Sequence, residues 1–146
     1  MGLWKQDTDL ERINAWSRNT LMEALGIRII RVEPGALVGS MPVDARTHQP
    51  YGLLHGGASV ALAETLGSTA AMLTLDPAQE LAVGLDINAN HVRGVRSGTV
   101  TGTAKALHVG RTTQVWEIRI ENEDGALVCI ARLTMAVIPA RGMGVR

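Results

Sequence analysis

The sequence predicts an α+β domain in which an antiparallel sheet wraps around one long central helix. A continuous apolar segment, residues 57–75, follows two strand-like runs and precedes four more. Tight turns between the runs favour antiparallel hairpins, and hairpins with a single helix favour α+β over an alternating βαβ arrangement. A helix that is apolar on every side is buried, so a sheet wrapped around it is the simplest solution. The 146 residues are interpreted as one such domain.

The N-terminal part of the chain predicts short helices followed by a hairpin. Residues 9–25 are expected to form one or two short helices, with Gly26 ending the second. The β-branched residues 27–33 predict a strand, and residues 36–41 predict its return after a proline–glycine turn. Residues 44–54 are polar and rich in turn formers, so they are expected to form a loop.

Residues 57–75 predict the central helix. The segment is rich in alanine and leucine, and Asp76–Pro77 stops it. Its length corresponds to about five helical turns, which is typical of a helix and too long for a strand.

Four strand-like runs follow: residues 81–91, 99–107, 112–122 and 127–138. An aspartate–glycine hairpin signal at 124–125 joins the last two. The last run is apolar on both faces and is interpreted as a central strand. In the first run apolar and polar side chains alternate, so its odd positions are expected to face the core. These positions are Leu81, Val83, Leu85, Ile87 and Ala89.

The composition disfavours several classes of function. The formal net charge is zero, which provides no field for nucleic acid or an anionic membrane, and aromatic residues for stacking on bases make up only 3%. Glu64 interrupts the longest apolar run, so no membrane span is predicted. The single cysteine, Cys129, and an N-terminus without a signal-peptide pattern favour a cytoplasmic protein.

The histidines and the C-terminal tail predict no further chemistry. His48, His55, His91 and His108 lie far apart with no cysteine nearby, so neither a metal nor another cofactor is expected. The small, basic residues 140–146 are expected to be a frayed tail.

Glu64 is the first candidate for a catalytic residue. It is the one charged residue in segment 57–75, and a carboxylate inside an apolar helix costs several kcal/mol unless it is paired, hydrated or placed at an opening. An exposed strip or a subunit contact would explain it without chemistry, whereas a cleft would make it functional. Ser68 lies four residues later on the same face and is within reach of Glu64 or of a substrate.

The residues before the helix indicate an anion or oxyanion site. The adjacent Gly56 and Gly57 leave no side chains where the first backbone N–H groups of a helix are unpaired. The helix dipole adds partial positive charge at the same point. An ordinary glycine-rich helix start is the simpler interpretation, and the lone carboxylate about two turns further on favours the functional one.

The residues that carry a family resemblance surround these two features. The segment Gln49-Pro50-Tyr51-Gly52-Leu53-Leu54-His55-Gly56-Gly57, followed by Ala63-Glu64-Thr65-Leu66-Gly67-Ser68, resembles the hotdog-fold thioesterases. Within them it is similar to the glutamate-using 4-hydroxybenzoyl-CoA thioesterase branch. Relatives in that branch hydrolyse 1,4-dihydroxy-2-naphthoyl-CoA or proofread aryl carrier proteins. The similarity covers about residues 4–138 and implies a hotdog fold.

The resemblance also implies roles for individual residues. Glu64 would act as nucleophile or general base, and the Gly56 N–H would polarise the thioester carbonyl. Gln49 and His55 would help to place that carbonyl and the glutamate, and Ser68 would contact the acyl group or the hydrolytic water. The CoA nucleotide would be held by Gly84, by His91, Val92 and Arg93, and by the segment His108, Val109, Gly110, Arg111 and Thr112.

The expected activity is hydrolysis of aromatic or short-to-medium acyl-CoA thioesters to free acid and CoA. The resemblance implies homodimers or homotetramers with active sites shared between subunits. A non-catalytic acyl-CoA-binding module, a proofreading thioesterase acting on a carrier protein, and a hotdog hydratase are the alternatives. Glu64 disfavours the pure binding module, and the D-x-N-x-x-H motif of the hydratases is not found in this sequence.

Overall fold

The computed structural model describes residues 2–143 as three helices and six strands. The helices are α1 (Leu10–Ala15), α2 (Leu21–Leu25) and α3 (Gly56–Leu73). The strands are β1 (Arg28–Glu33), β2 (Ala36–Pro42), β3 (Glu80–His91), β4 (Thr99–Val109), β5 (Thr113–Glu121) and β6 (Leu127–Pro139). Every predicted helix and strand is present, with ends that differ by a few residues.

The six strands form one antiparallel sheet in the order β1-β2-β4-β5-β6-β3. Consecutive hairpins account for β1–β2, β4–β5 and β5–β6, whereas β3 crosses over to pair with β6 at the far edge. Strand β6 is therefore paired on both sides, as its apolar faces predict, but it lies next to the edge of the sheet. Sheet and central helix together form the predicted α+β hotdog fold.

Helix α3 lies against strands β2, β4, β5, β6 and β3 of the sheet. Its small residues let it approach the strands closely, and its large buried side chains fill the core together with Trp116, Ile118 and Leu133. His55 caps its N-terminus and Thr74 follows its last turn. The helix buries apolar side chains on most of its circumference, which explains the lack of a clear polar stripe in the sequence.

The alternation predicted for β3 is wrong in its first half, because the strand contains a bulge. The register with β6 shifts between Gly84 and Asp86, so Leu85 is the extra residue. Val83 and Leu85 are 40% and 62% exposed, whereas Ile87 and Ala89 contact the core as predicted. The even positions before the bulge and the odd positions after it thus share the inner face of the sheet.

The chain ends and the thiol complete the fold. Ala140 is buried and its N–H donates to the Gln79 carbonyl, whereas the last three residues of the predicted frayed tail lie outside the described part of the chain. Cys129 is buried, as expected. Within residues 2–143 no helix has the length and apolar character needed to cross a membrane.

Candidate active site

The N-terminus of α3 presents one backbone N–H group without a protein acceptor. The N–H of Gly57 donates to Nδ1 of His55 at 2.8 Å, and those of Ala58 and Ser59 donate to the His55 carbonyl. The Gly56 N–H has no acceptor among residues 2–143. It therefore remains available to an incoming oxygen at the positive end of the helix dipole.

His55 caps the helix through one ring nitrogen, and its other ring nitrogen has no hydrogen-bond partner among residues 2–143. Because its Nδ1 accepts the Gly57 N–H, the neutral imidazole carries its proton on Nε2. The side chain also lines a small cavity of about 260 Å³, together with His48 and Ala61. A substrate oxygen in this cavity would meet the Nε2–H as a hydrogen-bond donor.

Gln49 and His91 lie on the other side of the same helix end. Both line a cavity of about 400 Å³ that also contains Gly56. The side-chain oxygen of Gln49 accepts the Tyr51 N–H, so its NH2 group is the donor that Gln49 can offer to the cavity. A β-carbon added to Gly56 would lie 2.9 Å from Nε2 of His91, so this ring covers the glycine directly. We call Gln49, His55, Gly56 and His91 the donor region.

Glu64 lies two turns further along α3, half-buried against the sheet. Burial raises the pKa of its carboxyl group, and a hydrogen bond from Ser68 acts in the opposite direction with a smaller effect. The distance from the Ser68 hydroxyl to Oε1 of Glu64 is 3.5 Å, which confirms the predicted shared face. The desolvated carboxylate is suited to act as a base or nucleophile.

Two residues of the sheet enclose this carboxylate. A β-carbon on Gly84 would lie 2.6 Å from Oε1 of Glu64, so the bare backbone of β3 forms one wall. The thioether of Met135, whose strand β6 pairs with β3 at this point, lies 3.8 Å from the Ser68 hydroxyl. The interpretation of β6 as apolar on both faces misses Met135, although Arg132 and Thr134 alternate with the buried Leu133 and Met135 and so mark the inner face. We call Glu64, Ser68, Gly84 and Met135 the carboxylate region.

The two regions are well separated within one chain. Gly56 and Glu64 are eight residues apart, which corresponds to about 12 Å along a helix axis. Ser68, which holds the carboxylate, lies on the C-terminal side of Glu64, away from the helix N-terminus. On the sheet, Gly84 pairs with Met135 and His91 with Cys129, and the six-residue step along β6 corresponds to about 20 Å.

The predicted CoA-binding residues divide between the same two ends of the sheet. His91, Val92 and Arg93 line the 400 Å³ cavity of the donor region. Gly84 lies beside Glu64 instead. His108 and Val109 end β4, and Gly110, Arg111 and Thr112 form the turn to β5. The Thr112 carbonyl in this turn accepts the N–H of Val137, near the Gly84 end of the sheet. A single chain therefore does not bring the predicted CoA-binding set together.

The described part of the chain contains no group of three or more His, Cys, Asp or Glu side chains arranged to hold a metal ion. The side chains and backbone of the two regions supply a carboxylate, a hydroxyl, a carboxamide, two imidazoles and backbone N–H donors. A desolvated carboxylate and an N–H-lined oxyanion site are the groups that acyl transfer requires.

Comparison with known proteins identifies the class. Residues 51–129 match the thioesterase superfamily, and this range includes Gly56, Glu64 and Ser68. The chain belongs to this family and is a thioester hydrolase with the hotdog fold.

Individual relatives cover nearly the whole chain. The chain is 48% identical to the 1,4-dihydroxy-2-naphthoyl-CoA hydrolase of Escherichia coli, covering 93% of this chain and 99% of that protein. It is 52% identical to the proofreading thioesterase EntH of Klebsiella pneumoniae, covering 92% and 98%. The structure is also similar to the crystal structure of a mutant of thioesterase PA1618 from Pseudomonas aeruginosa. The two sequences are 57% identical, and the structures superimpose with a TM-score of 0.93 over 94% of this chain and 99% of that one.

Proposed function

We propose that the protein hydrolyses acyl-CoA thioesters, of the aromatic hydroxybenzoyl or hydroxynaphthoyl type or with short-to-medium acyl chains, to free acid and CoA. Glu64 is the catalytic carboxylate and the Gly56 N–H is the oxyanion donor. Gln49 and His55 orient the thioester carbonyl, and Ser68 holds Glu64 or the hydrolytic water. CoA is bound by residues of the two sheet ends: Gly84, His91, Val92, Arg93, His108, Val109, Gly110, Arg111 and Thr112.

The observation that carries the proposal is the pairing of one acceptor-free N–H with one desolvated carboxylate. Thioester hydrolysis needs an oxyanion stabiliser and an activated attacker. It needs little acid assistance, because a thiol with a pKa of about 8.5 leaves readily as thiolate. Gly56 and Glu64 meet the two needs, and Glu64 is the one ionisable residue on α3.

The carboxylate has two routes to products. It attacks the thioester carbon directly, expelling CoA thiolate and leaving an acyl–glutamyl anhydride that water hydrolyses. Alternatively, it removes a proton from a water molecule that attacks the same carbon, and the thiolate then takes up a proton. The raised pKa makes Glu64 a stronger base than a carboxylate with an ordinary pKa, which assists the removal of a proton from water. Both routes use the same carboxylate and the same oxyanion donor.

We infer that each active site combines the donor region of one subunit with the carboxylate region of another. The reacting carbonyl spans only a few ångströms, whereas Gly56 and Glu64 of one chain are about 12 Å apart along α3. Two copies of α3 packed antiparallel would place the N-terminus of each beside the middle of the other. A two-fold axis would then complete two sites at once.

The unpaired edge of the sheet supports this self-association. Strand β3 is long, lies at the edge and exposes Val83 and Leu85 to solvent in the single chain. Such an edge is usually paired or covered in natural proteins. A homodimer is the minimal assembly for the proposed site, and the association of dimers into tetramers is a further prediction that sedimentation measurements would check.

A carrier-protein thioester is the second candidate substrate. It is favoured by the 52% identity to a protein named proofreading thioesterase, against 48% to one named a CoA hydrolase. The two substrates share the thioester and the pantetheine arm, so the proposed chemistry is the same for both. Direct comparison of an acyl-CoA with the same acyl group on a carrier protein would separate them by kcat/KM.

The test is steady-state thiol release from a panel of CoA thioesters with benzoyl, hydroxybenzoyl, hydroxynaphthoyl and straight-chain acyl groups. The wild type is expected to hydrolyse at least one aromatic member. Glu64→Gln keeps the size of the side chain and removes its charge. We expect it to lower kcat by at least about a hundredfold, the scale of a lost acid–base group.

Glu11→Gln is the matched control, because Glu11 is exposed on α1 and lies outside both regions. It is expected to retain wild-type rates. A Glu64→Gln variant that is as active as wild type would contradict the role of Glu64. Equal acyl-CoA binding by wild type and Glu64→Gln without hydrolysis by either would instead identify a binding module.

A further inference from the structure

Gly84 lies directly beside the carboxylate of Glu64, in strand β3. A β-carbon at position 84 would lie 2.6 Å from Oε1 and 3.7 Å from the carboxyl carbon of Glu64. Non-bonded carbon–oxygen contacts below about 3 Å are strongly repulsive, so no other amino acid leaves the carboxylate where it is. The closeness of the contact means that the missing side chain is itself part of the site.

Backbone conformation does not explain the glycine. The φ angle of Gly84 is not among the positive values of this chain, so an alanine would adopt the same backbone without strain. The next contact of the added β-carbon is the sulfur of Met135 at 4.0 Å, an ordinary van der Waals distance. Among the described residues the conflict is therefore with the end of the Glu64 side chain, which is flexible and can move without disturbing the fold.

We propose that Gly84 is a positioning residue for Glu64: its bare backbone sets the conformer in which the carboxylate meets the thioester. This inference rests on the proposed function and gives Gly84 a role different from its expected contact with CoA. The Ser68 hydroxyl and the Gly84 backbone both lie against the carboxylate, and the Met135 side chain lies beside the Ser68 hydroxyl. Of these three residues, Gly84 is the one whose place beside Glu64 depends on having no side chain.

The experiment is a double-mutant cycle with Gly84→Ala and Glu64→Asp. In the wild-type background Gly84→Ala pushes the carboxylate away and is expected to lower kcat by about ten- to a hundredfold, since a misplacement of 1 Å can cost about a hundredfold. KM for acyl-CoA is expected to stay within about twofold, because the substitution adds a methyl group beside Glu64 and removes no backbone group that could contact CoA. The shorter side chain in Glu64→Asp no longer reaches the added β-carbon. In that background Gly84→Ala is expected to have less than about a twofold effect.

Gly2→Ala is the control for the added methyl group, because nothing lies within 4 Å of its β-carbon position. Thermal denaturation of each variant checks that the fold is kept. Unchanged kcat in Gly84→Ala, with Glu64→Gln inactive, would overturn the inference and leave the proposed function standing. A rise in KM that is the same in both backgrounds would also overturn it and would assign Gly84 to CoA binding. An active Glu64→Gln variant would overturn both proposals together.

Discussion

The donor region and the carboxylate region use the same helix in opposite ways. The donor region lies at the end of α3, where the backbone offers the unpaired Gly56 N–H and the positive end of the dipole. The carboxylate region lies at its middle, where the backbone is fully bonded and the side chain of Glu64 is half-buried beside Gly84. One region attracts negative charge and the other provides it.

The distance between the two regions keeps the pKa of Glu64 high and the Gly56 N–H available. A carboxylate in the first turn of a helix accepts hydrogen bonds from its free N–H groups and is stabilised by the dipole. Placed there, Glu64 would occupy the Gly56 N–H and its pKa would fall. Two turns away it keeps a raised pKa and leaves the donor free, which is what an attacking group and an oxyanion site require of each other.

The largest loss of activity is expected from Gly56→Pro, which removes the backbone N–H of the donor region. Proline is tolerated at the first position of a helix, and the preceding His55 already has the extended backbone that a residue before proline adopts. Loss of one oxyanion donor is expected to lower kcat by about 10²–10³-fold. Thiol-release kinetics on the preferred acyl-CoA would measure it.

Gly56→Ala is its matched control, because it adds the same β-carbon beside His91 but keeps the N–H. The difference in kcat between the two variants isolates the donor. Equal rates for Gly56→Pro and Gly56→Ala would show that the N–H does not stabilise the oxyanion.

Mixing the two regions between subunits tests whether they meet across an interface. Glu64→Gln and Gly56→Pro chains are each expected to be nearly inactive. Co-refolded in equal amounts, they should form about half mixed dimers with one intact site of two, which restores about a quarter of wild-type activity. Purified mixed dimers, separated by two different affinity tags, would give the rate per intact site.

A failure of complementation would place both groups in one chain. The control is a mixture of Glu64→Gln with Glu64→Asp, in which both chains lack the glutamate and no pairing can restore it. Its rate should not exceed the average of its two parents.

The smallest expected effect concerns stability. Because burial raises the pKa of Glu64, the folded state holds the proton more tightly than the unfolded chain. Its contribution to stability is complete below the unfolded pKa and is lost as pH rises through the folded pKa. Glu64→Gln should therefore raise Tm at pH 7, with a gain that shrinks as the pH approaches the ordinary carboxyl pKa. Thermal denaturation of wild type and Glu64→Gln at pH 7 and near the ordinary carboxyl pKa measures the difference in Tm. An equal gain in Tm at the two pH values would contradict the prediction.

The central helix and the strands were predictable, because length and apolar pattern specify each of them locally. The pair Glu64 and Ser68 was predictable for the same reason, since four residues on a helix make one face. The position of β3 at the far edge was not, because strand order depends on contacts between distant segments. The resemblance named Gly84 and His91 together, and only the sheet register shows them about 20 Å apart.

The bulge at Leu85 has a consequence for insertions and deletions. Gly84 and His91 both face α3, yet an even and an odd position on a regular strand point to opposite sides of a sheet. The extra residue at the bulge reverses the alternation of side chains along β3. Gly84 and His91 can therefore both face α3 from one strand, each in its own region. Deleting Leu85 would shorten the edge by one residue and turn one half of β3 over, with Asn88 and Asn90 facing the helix or Gly84 facing away from it. Homologues that keep both contacts should keep the odd spacing between them, whatever residue fills the bulge.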